Sequence, residues 1–216
     1  MIIALDGPAA SGKGTLAKRL AKHFGFAHLD TGKLYRAVGL AVLRAGEDPE
    51  DADAAERAAT ALTPSGLDNP ALAGDDAAVA ASKVAAIPAV RDALLSFQRR
   101  FAESPPDEAA GAVIDGRDIG TVVCPGAPAK LFVTASLEIR AERRHKELLG
   151  RGETSIYARV LQDLTERDER DSNRAVSPLL AADDAKVLDT STLDPDAAFA
   201  AALAYVEKRL KDASIR

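Results

Sequence analysis

The first fifteen residues constrain the fold more than any other part of the chain. An apolar run, 2–5, ends in Asp6 and passes directly into a loop that carries Gly7 and Gly12 and then Lys13. Glycine lets the backbone turn tightly, so that consecutive N–H groups can point inward at phosphate oxygens. A lysine there can reach the outer phosphates, and the helix that follows offers its positive N-terminal end. The pattern predicts a strand, a helix and, between them, a phosphate-binding loop formed by Gly7, Pro8, Ala9, Ala10, Ser11, Gly12, Lys13, Gly14 and Thr15.

The spacing between the lysine and the hydroxyl residue indicates which kind of phosphate-binding loop this is. The usual motif has Ser or Thr directly after the lysine, whereas here Gly14 intervenes and Thr15 follows. A turn that only capped a strand would need neither Lys13 nor Thr15. The form Gly-Lys-Gly-Thr is similar to the loop of the nucleoside monophosphate kinases and differs from that of the switch GTPases.

Charge and cysteine content exclude several classes of protein. The 216 residues carry a net charge of −5, which argues against a general nucleic-acid binder, because such proteins present a broad basic surface. The single cysteine, Cys124, excludes an internal disulfide, fits a reducing cytoplasm and is predicted to be a small buried or edge residue. The scattered histidines form no metal-site pattern. No apolar run approaches membrane-spanning length and the first strand begins at residue 2, so we expect a soluble, cytoplasmic protein without a signal peptide.

Apolar runs and helical periodicity alternate along the chain. The short runs 2–5, 26–29, 112–114, 131–133 and 186–188 are typical of buried parallel strands. Between them apolar residues recur at helical spacing. This alternation predicts an α/β fold, a P-loop three-layer sandwich around a five-stranded parallel sheet, as one domain over residues 1–216. Ligands of such sheets lie at the carboxyl ends of the strands, where the loops carrying Gly7, Asp30 and Asp115 emerge.

Two segments depart from this alternation. Residues 46–78 are rich in Ala, Asp, Pro and Gly. They are predicted to form one acidic helix, from about Glu50 to Leu62, and then a polar excursion, Thr63 to Asp75. Residues 140–174 carry both charges densely at helical spacing with few apolar positions. Such a helical pair is usually a solvated face, but its arginines favour a functional role.

The second helix begins with a pattern that suits a second anion. The motif Asp30-Thr31-Gly32-x-x-Tyr35-Arg36 follows the second strand, and Thr31 is predicted to be the N-cap of the helix. Tyr35 and Arg36 then lie on the first turns, near the positive helix end. Together with a phosphate loop one helix earlier, the motif suggests a second phosphate-bearing substrate.

A third motif, Asp115-Gly116-Arg117-Asp118-Ile119-Gly120-Thr121, follows an apolar strand. An aspartate at the end of a buried strand beside a phosphate loop is where a magnesium-organising carboxylate is expected, which points to Asp115. A simple turn is the alternative for Asp118. We favour a function, because charges near buried strands are costly unless they are used.

The last charged pattern runs from Arg167 to Arg174. Arg167, Arg170 and Arg174 fall at i, i+3 and i+7 of a predicted helix, and Asp171 shares their face. Ion pairs within the helix explain part of this, although exposed pairs contribute only about 0.5 kcal/mol. Phosphoryl transfer relies on positioned cations and on the exclusion of water. A cationic stripe on a mobile helical pair therefore suits a lid over transferring phosphates.

These motifs, with the segment from Ser82 to Arg91 predicted as one helix, resemble bacterial cytidylate kinase nearly end to end. The resemblance implies an ATP-dependent (d)CMP kinase, which transfers the γ-phosphoryl group of Mg·ATP to CMP or dCMP and gives ADP with CDP or dCDP. ATP would bind the loop Gly7 to Thr15, with Mg²⁺ as the cofactor and Thr15 as its ligand. Lys13, Arg117 and Arg170 would be catalytic. An acceptor-binding lobe is expected over about residues 31–103 and a lid over about residues 143–174, in a monomer that binds neither nucleic acid nor membranes.

The same resemblance assigns the acceptor contacts. It implies that Ser82, Arg91 and Asp118 contact the base, that Arg36, Arg91 and Arg174 contact the phosphate, and that Arg167 and Asp171 contact the ribose. Tyr35 matches a position that lines the pocket, and Thr31 and Asp115 complete the predicted substrate-binding set. Independently, one carboxylate with hydroxyl or guanidinium donors suits the edge of cytosine, whereas uracil would place a carbonyl against the carboxylate.

Two alternatives stay open at this point. One is a sister kinase of the same architecture that acts on AMP, UMP or shikimate, against which Ser82, Arg91 and Asp118 are the discriminating residues. The other is a nucleotide-dependent switch or regulator, which would normally show an Asn-Lys-x-Asp motif that this sequence lacks.

The chain departs from the family in one segment. Bacterial members often carry a longer, strand-forming insert in the acceptor-binding lobe. Residues 63–77 are short and lack the β-branched and aromatic runs that would build it. We therefore expect a lobe without this insert.

Overall fold

A five-stranded parallel sheet forms the centre of the molecule, of which the computed structural model describes residues 1–63, 66–67 and 69–214. The strand order is β2-β3-β1-β4-β5, so that β1 lies in the middle, between β3 and β4. All five predicted strands and their parallel arrangement are confirmed. The strands are β1 (Ile2–Asp6), β2 (Ala27–Asp30), β3 (Ala112–Gly116), β4 (Ala129–Thr134) and β5 (Lys186–Asp189).

Helices cover both faces of the sheet, as the three-layer prediction requires. In the described residues the α-helices are α1 (Lys13–Phe24), α2 (Thr31–Arg44), α3 (Ala52–Thr60), α4 (Asp75–Val84), α5 (Pro88–Glu103), α6 (Leu137–Gly150), α7 (Tyr157–Ser172) and α8 (Pro195–Ser214). None of them is both long and apolar enough to cross a lipid bilayer.

Alternate residues of β1 are buried on opposite faces of the sheet, which is why its sequence is a continuous apolar run. Ile3 and Leu5 join the core formed with α1 and α8. Ala4 joins the core on the other side, formed with β3 and α5. Cys124 is buried in that second core and is a free thiol, as predicted.

A separate apolar core lies among helices α2 to α5, within the range predicted for the acceptor-binding lobe. Leu34, Val38 and Val84 belong to it. The predicted acidic helix is α3, which begins after Asp51, whose side chain accepts from the backbone N–H groups of Asp53 and Ala54. Of the predicted polar excursion, residues 64, 65 and 68 lie outside the described residues. Its described part contains a 3₁₀ turn, Pro70–Ala73, and no strand.

The segment predicted as one helix from Ser82 to Arg91 is in fact two helices. α4 ends at Val84 and α5 begins at Pro88. Proline suits the first turn of a helix because its missing N–H would have no partner there, and it keeps the preceding residue extended. Ile87 is extended accordingly, with φ −85° and ψ 118°. The break makes a corner that brings Ser82 and Arg91 to the same cavity.

Helices α6 and α7 form the charged hairpin predicted as a lid. Leu148, Val160 and Leu164 give it a small core of its own. Arg144 of α6 forms an ion pair with Asp75, the first residue of α4, and Nη2 of Arg151 donates to the carbonyl of Ala73 at 2.9 Å. The hairpin is therefore tied to α4 and to the turn before it, within the range predicted for the acceptor-binding lobe. The exact limits of lobe and lid stay a prediction.

Candidate active site

The phosphate loop joins β1 to α1, and its shape depends on backbone geometry. Gly7 has φ 148°, and a Cβ there would lie 2.0 Å from the carbonyl oxygen of Val133. Gly12 has φ 88°, a left-handed conformation that glycine adopts without strain, and α1 starts at the next residue. The buried Ser11 hydroxyl has no hydrogen-bond partner among the described residues. The loop thus turns from the sheet into the positive end of a helix, which is the helix end that attracts phosphate.

Lys13 is the first residue of α1, and its ammonium group faces the end of β3. Its Nζ lies 3.6 Å from Oδ1 of Asp115. Burial and then the positive charge of Arg117 lower the pKa of Lys13. Burial also raises the pKa of Asp115, but a hydrogen bond with His28 and the charge of Lys13 outweigh it and hold that pKa below its ordinary value. Lys13 is therefore held by one carboxylate in a position where it can also reach a phosphate.

A cavity of about 320 Å³ lies beside the loop, on the side of α8. Its wall is largely apolar but includes Arg19 and Arg143, and the exposed Thr15 belongs to it. Arg143 donates to the carbonyl of Thr190 at 2.7 Å. An apolar slot with guanidinium groups, next to a phosphate loop, suits a nucleoside. Of this lining, sequence reasoning singled out Ser11, Gly12 and Thr15. It missed the apolar positions Leu16, Val133, Leu193, Pro195 and Ala198, which carry no local signal of ligand contact.

A second, smaller cavity of about 50 Å³ includes Lys13 in its wall. Five separate stretches of the chain contribute side chains to it. The predicted site residues in its lining are Lys13, Thr31, Tyr35, Ser82, Arg91, Arg117, Asp118, Arg167, Asp171 and Arg174. Ligand cavities usually exceed roughly 300 Å³, so this cavity as it stands is too small for a whole nucleotide.

Opposite charges pair inside this second cavity. Arg91 donates to Oδ2 of Asp118, and both side chains are less than a tenth exposed. Nε of Arg117 donates to Oδ2 of Asp171 at 2.9 Å. Burial raises the pKa of Asp171, but the charges of Arg117 and Arg167 outweigh it and lower that pKa. These pairs orient both carboxylates.

Four arginines predicted to contact the acceptor keep a buried nitrogen for which the described residues offer no hydrogen-bond partner. These atoms are Nε of Arg36, Nε of Arg91, Nε of Arg167 and Nη2 of Arg174. Burial lowers the pKa of Arg36 and of Arg174, and burial together with Arg117 lowers the pKa of Arg167 to about 10. Crowded, desolvated cations with unused donors favour the binding of an anion.

Three of the predicted catalytic and acceptor-binding residues lie outside the lining of this cavity. The carboxylate of Asp115 contacts Nζ of Lys13 at 3.6 Å. Arg36 donates to the carbonyl of Leu72 at 3.4 Å. Nε of Arg170 donates to the hydroxyl of Ser82 at 3.2 Å, which joins α7 to α4. Arg174 does line the cavity, although α7 ends at Ser172, two residues before it. The roles of these residues stay predictions.

The prediction that Thr31 caps α2 is wrong. Asp30 is the N-cap residue, without a capping bond from its side chain, and Thr31 is the first residue of the helix. The buried hydroxyl of Thr31 donates instead to the backbone carbonyl of Asp115 at 2.9 Å. A tertiary partner replaces the local one because α2 begins at the same sheet edge at which β3 ends.

Sequence reasoning missed three side chains that hold the site together. Asp6 accepts from the backbone N–H groups of Ile119 and Gly120, both at 2.7 Å, and so anchors the π-helical turn after Asp118. The buried Arg140 of α6 donates both to the carbonyl of Ala9 in the phosphate loop and to the carboxylate of Asp168 in α7. His28 contacts Asp115. Only Asp6 had a signal, its place directly before Gly7.

Comparisons with known proteins identify the family. The family model described as cytidylate kinase matches residues 3–208. The chain belongs to the cytidylate kinase family. A cytidylate kinase from Paramagnetospirillum magneticum is 65% identical, over 95% of this chain and 97% of its own. Cytidylate kinases from Xanthobacter autotrophicus and Rhodospirillum rubrum are each 61% identical, over 97% and 94% of this chain and 98% and 95% of their own. The predicted family and the predicted class, a nucleoside monophosphate kinase, are confirmed.

Two solved structures share the fold. An uncharacterized protein from Eubacterium ventriosum has a TM-score of 0.57 and 18% identity, covering 96% of this chain and 98% of its own. A sugar kinase from Janibacter has a TM-score of 0.50 and 16% identity, covering 95% and 94%. Similarity at this level of identity concerns the fold alone. It agrees with the α/β architecture described above.

Proposed function

We propose that the protein transfers the γ-phosphoryl group of Mg·ATP to CMP or dCMP, giving ADP with CDP or dCDP. The observation that carries the proposal is the second cavity, where five basic and two acidic side chains meet beside the phosphate loop. Lys13 belongs to both the loop and that cavity. Two anionic substrates would therefore meet at Lys13, and a phosphate acceptor is already anionic and needs no general base.

On the donor side, the phosphates of ATP would lie on the loop from Gly7 to Thr15, and the adenosine in the cavity of about 320 Å³. Lys13 and the predicted catalytic arginines, Arg117 and Arg170, would neutralise the charge that spreads over the transferring group. Arg117 lies near Lys13, since its positive charge lowers the pKa of Lys13. Arg170 would have to turn from the Ser82 hydroxyl toward the site.

On the acceptor side, Asp118 would accept from the amino group of cytosine, with Ser82 and Arg91 as donors. Arg36, Arg91 and Arg174 would hold the acceptor phosphate through the nitrogens that the described residues leave unbonded. Arg167 and Asp171 would contact the ribose, and Tyr35 and Thr31 would line the pocket. A uracil in the same place would set its carbonyl against the Asp118 carboxylate, which explains a preference for cytosine.

In the described residues no group of three or more His, Cys, Asp or Glu side chains is arranged around a metal position. This fits Mg²⁺, which typically binds through nucleotide phosphates, waters and one or two protein groups, here with Thr15 as the proposed ligand. The ion would offset the negative charge of the transferring phosphates. We further propose a cytoplasmic monomer that binds no nucleic acid, in keeping with a net charge of −5.

ADP release from Mg·ATP tests the proposal, with CMP, dCMP, UMP, AMP and shikimate offered separately as acceptors. Turnover with CMP and dCMP and weak turnover with the others is the expected result, and excess EDTA should abolish it. Preferred turnover of UMP or AMP would overturn the assignment of the base contacts. Binding of ATP without turnover of any acceptor would overturn the proposed reaction.

A further inference from the structure

His28 lies on β2, outside the lining of both nucleotide cavities, and yet it reaches the site. In the sheet His28 is paired with Val113 of β3, and Asp115 is two residues further along that strand. Side chains two residues apart point to the same face, so His28 and Asp115 are diagonal neighbours. Nε2 of His28 lies 2.7 Å from Oδ2 of Asp115.

The carboxylate of Asp115 thus has a partner at each oxygen. Oδ2 is bonded to His28, and Oδ1 lies 3.6 Å from Nζ of Lys13. The Asp115 side chain is only 2% exposed. A buried carboxylate needs partners for both oxygens, and two partners at fixed positions leave it one orientation.

The contact between His28 and Asp115 is not needed to pair β2 with β3. The backbone ladder joins β2 to β3 at four consecutive residue pairs, from Ala27 with Ala112 to Asp30 with Asp115. The His28 side chain is 19% exposed and borders a cavity of about 770 Å³. What the histidine adds is therefore the orientation of the carboxylate.

We propose that His28 is a positioning residue for phosphoryl transfer: it orients the Asp115 carboxylate, which holds the Lys13 ammonium group at the phosphate loop. The inference rests on the proposed function and deepens it. Displacing a catalytic group by about 1 Å can lower a rate by up to about 100-fold. Partners that orient a functional group from behind typically contribute about tenfold or more.

Substitutions of His28 that differ in one property test the proposal. His28→Phe keeps a planar ring and removes the donor, and we expect it to lower kcat about tenfold with little change in KM for CMP. His28→Gln keeps an N–H donor and should restore most of kcat. His23→Phe, an exposed histidine of α1, is the matched control and should leave kcat unchanged.

The decisive measurement repeats His28→Phe and His28→Gln in a protein that also carries Asp115→Asn. If His28 acts through Asp115, His28→Phe lowers kcat much less in that background than in the wild type. An equal loss in both backgrounds, or a loss of thermal stability with kcat unchanged, would overturn the inference. If His28→Phe does not fold, His28→Asn, whose side chain is too short for this bond, makes the same comparison. Wild-type protein without CMP kinase turnover would instead refute the proposed function.

Discussion

The two sides of Lys13 are built in different ways. On the donor side, nine consecutive residues form the loop, and a cavity of about 320 Å³ lies beside it. On the acceptor side, about 50 Å³ remains between side chains from five separate stretches, which pair with one another as Arg91 with Asp118 and Arg117 with Asp171. The donor side depends on local backbone conformation, whereas the acceptor side depends on tertiary charge pairing.

The difference indicates what each side contributes. A preformed loop lowers the cost of holding the phosphates, so Lys13 should affect the rate strongly and Gly7 the stability. Buried ion pairs add little net stability, but they orient groups and make binding selective. An entering acceptor has to exchange these pairs for its own contacts. Changes on the acceptor side should therefore affect the choice of substrate more than the fold.

The strongest challenge to the donor side is Lys13→Ala. It removes the charge next to the transferring group, so kcat should fall by about 10³-fold while the circular dichroism spectrum stays unchanged. The control is Lys18→Ala, an exposed lysine of the same helix, which should keep wild-type turnover. Near-normal kcat in Lys13→Ala would show that the loop does not serve phosphoryl transfer.

Gly7→Ala tests whether the loop depends on its backbone geometry. The new Cβ would lie 2.0 Å from the carbonyl oxygen of Val133, at a φ of 148°. We expect the free energy of unfolding in urea to fall by about 3 kcal/mol or more. In Gly14→Ala the new Cβ has no atom within 4 Å, so the same measurement should change by less than about 1 kcal/mol. Similar values for the two variants would contradict the prediction.

Asp6 connects the two sides, since it precedes Gly7 and anchors the turn after Asp118. Burial raises its pKa from 3.8 to about 6, against the lowering effect of its two backbone N–H partners. The folded state then holds the proton more tightly than the unfolded state, so the contribution of Asp6 to stability is full below about pH 4 and is lost as the pH rises through about 6.

Urea unfolding of wild type and Asp6→Asn between about pH 4 and pH 7 measures this effect. The stability of the wild type relative to the variant should fall by up to about 3 kcal/mol over that range, because each unit of pKa difference corresponds to about 1.36 kcal/mol. A difference between the two proteins that does not vary with pH would show that the pKa of Asp6 is not raised.

Asp118→Asn tests whether the acceptor side determines the choice of base. The amide keeps an oxygen for Arg91 and gains a donor for the uracil carbonyl, so the ratio of kcat/KM for CMP over UMP should fall about tenfold with the fold intact. Asp92→Asn, at an exposed aspartate next to Arg91, should leave the ratio unchanged. An unchanged ratio in Asp118→Asn would remove Asp118 from base recognition.

Much of the fold and part of the site could be predicted from local patterns. The strands follow from short apolar runs, and the phosphate loop from glycine and lysine at fixed spacing. Thr31 was misassigned because its partner, the carbonyl of Asp115, is 84 residues away in sequence. The contact of His28 with Asp115 was missed for the same reason. The break between α4 and α5 did have a local signal, Pro88, which the single-helix prediction overlooked.

The sequence by itself determined the α/β class, the phosphate loop and the types of side chain available to a second substrate, because these depend on residues that are neighbours in the chain. Only the tertiary structure decided which charges meet. It pairs Arg117 with Asp171 across 54 positions and Asp6 with the turn after Asp118 across more than 100. The physical reason is that a charge finds its partner through the packing of strands and helices, and no local periodicity records which distant element that packing brings near.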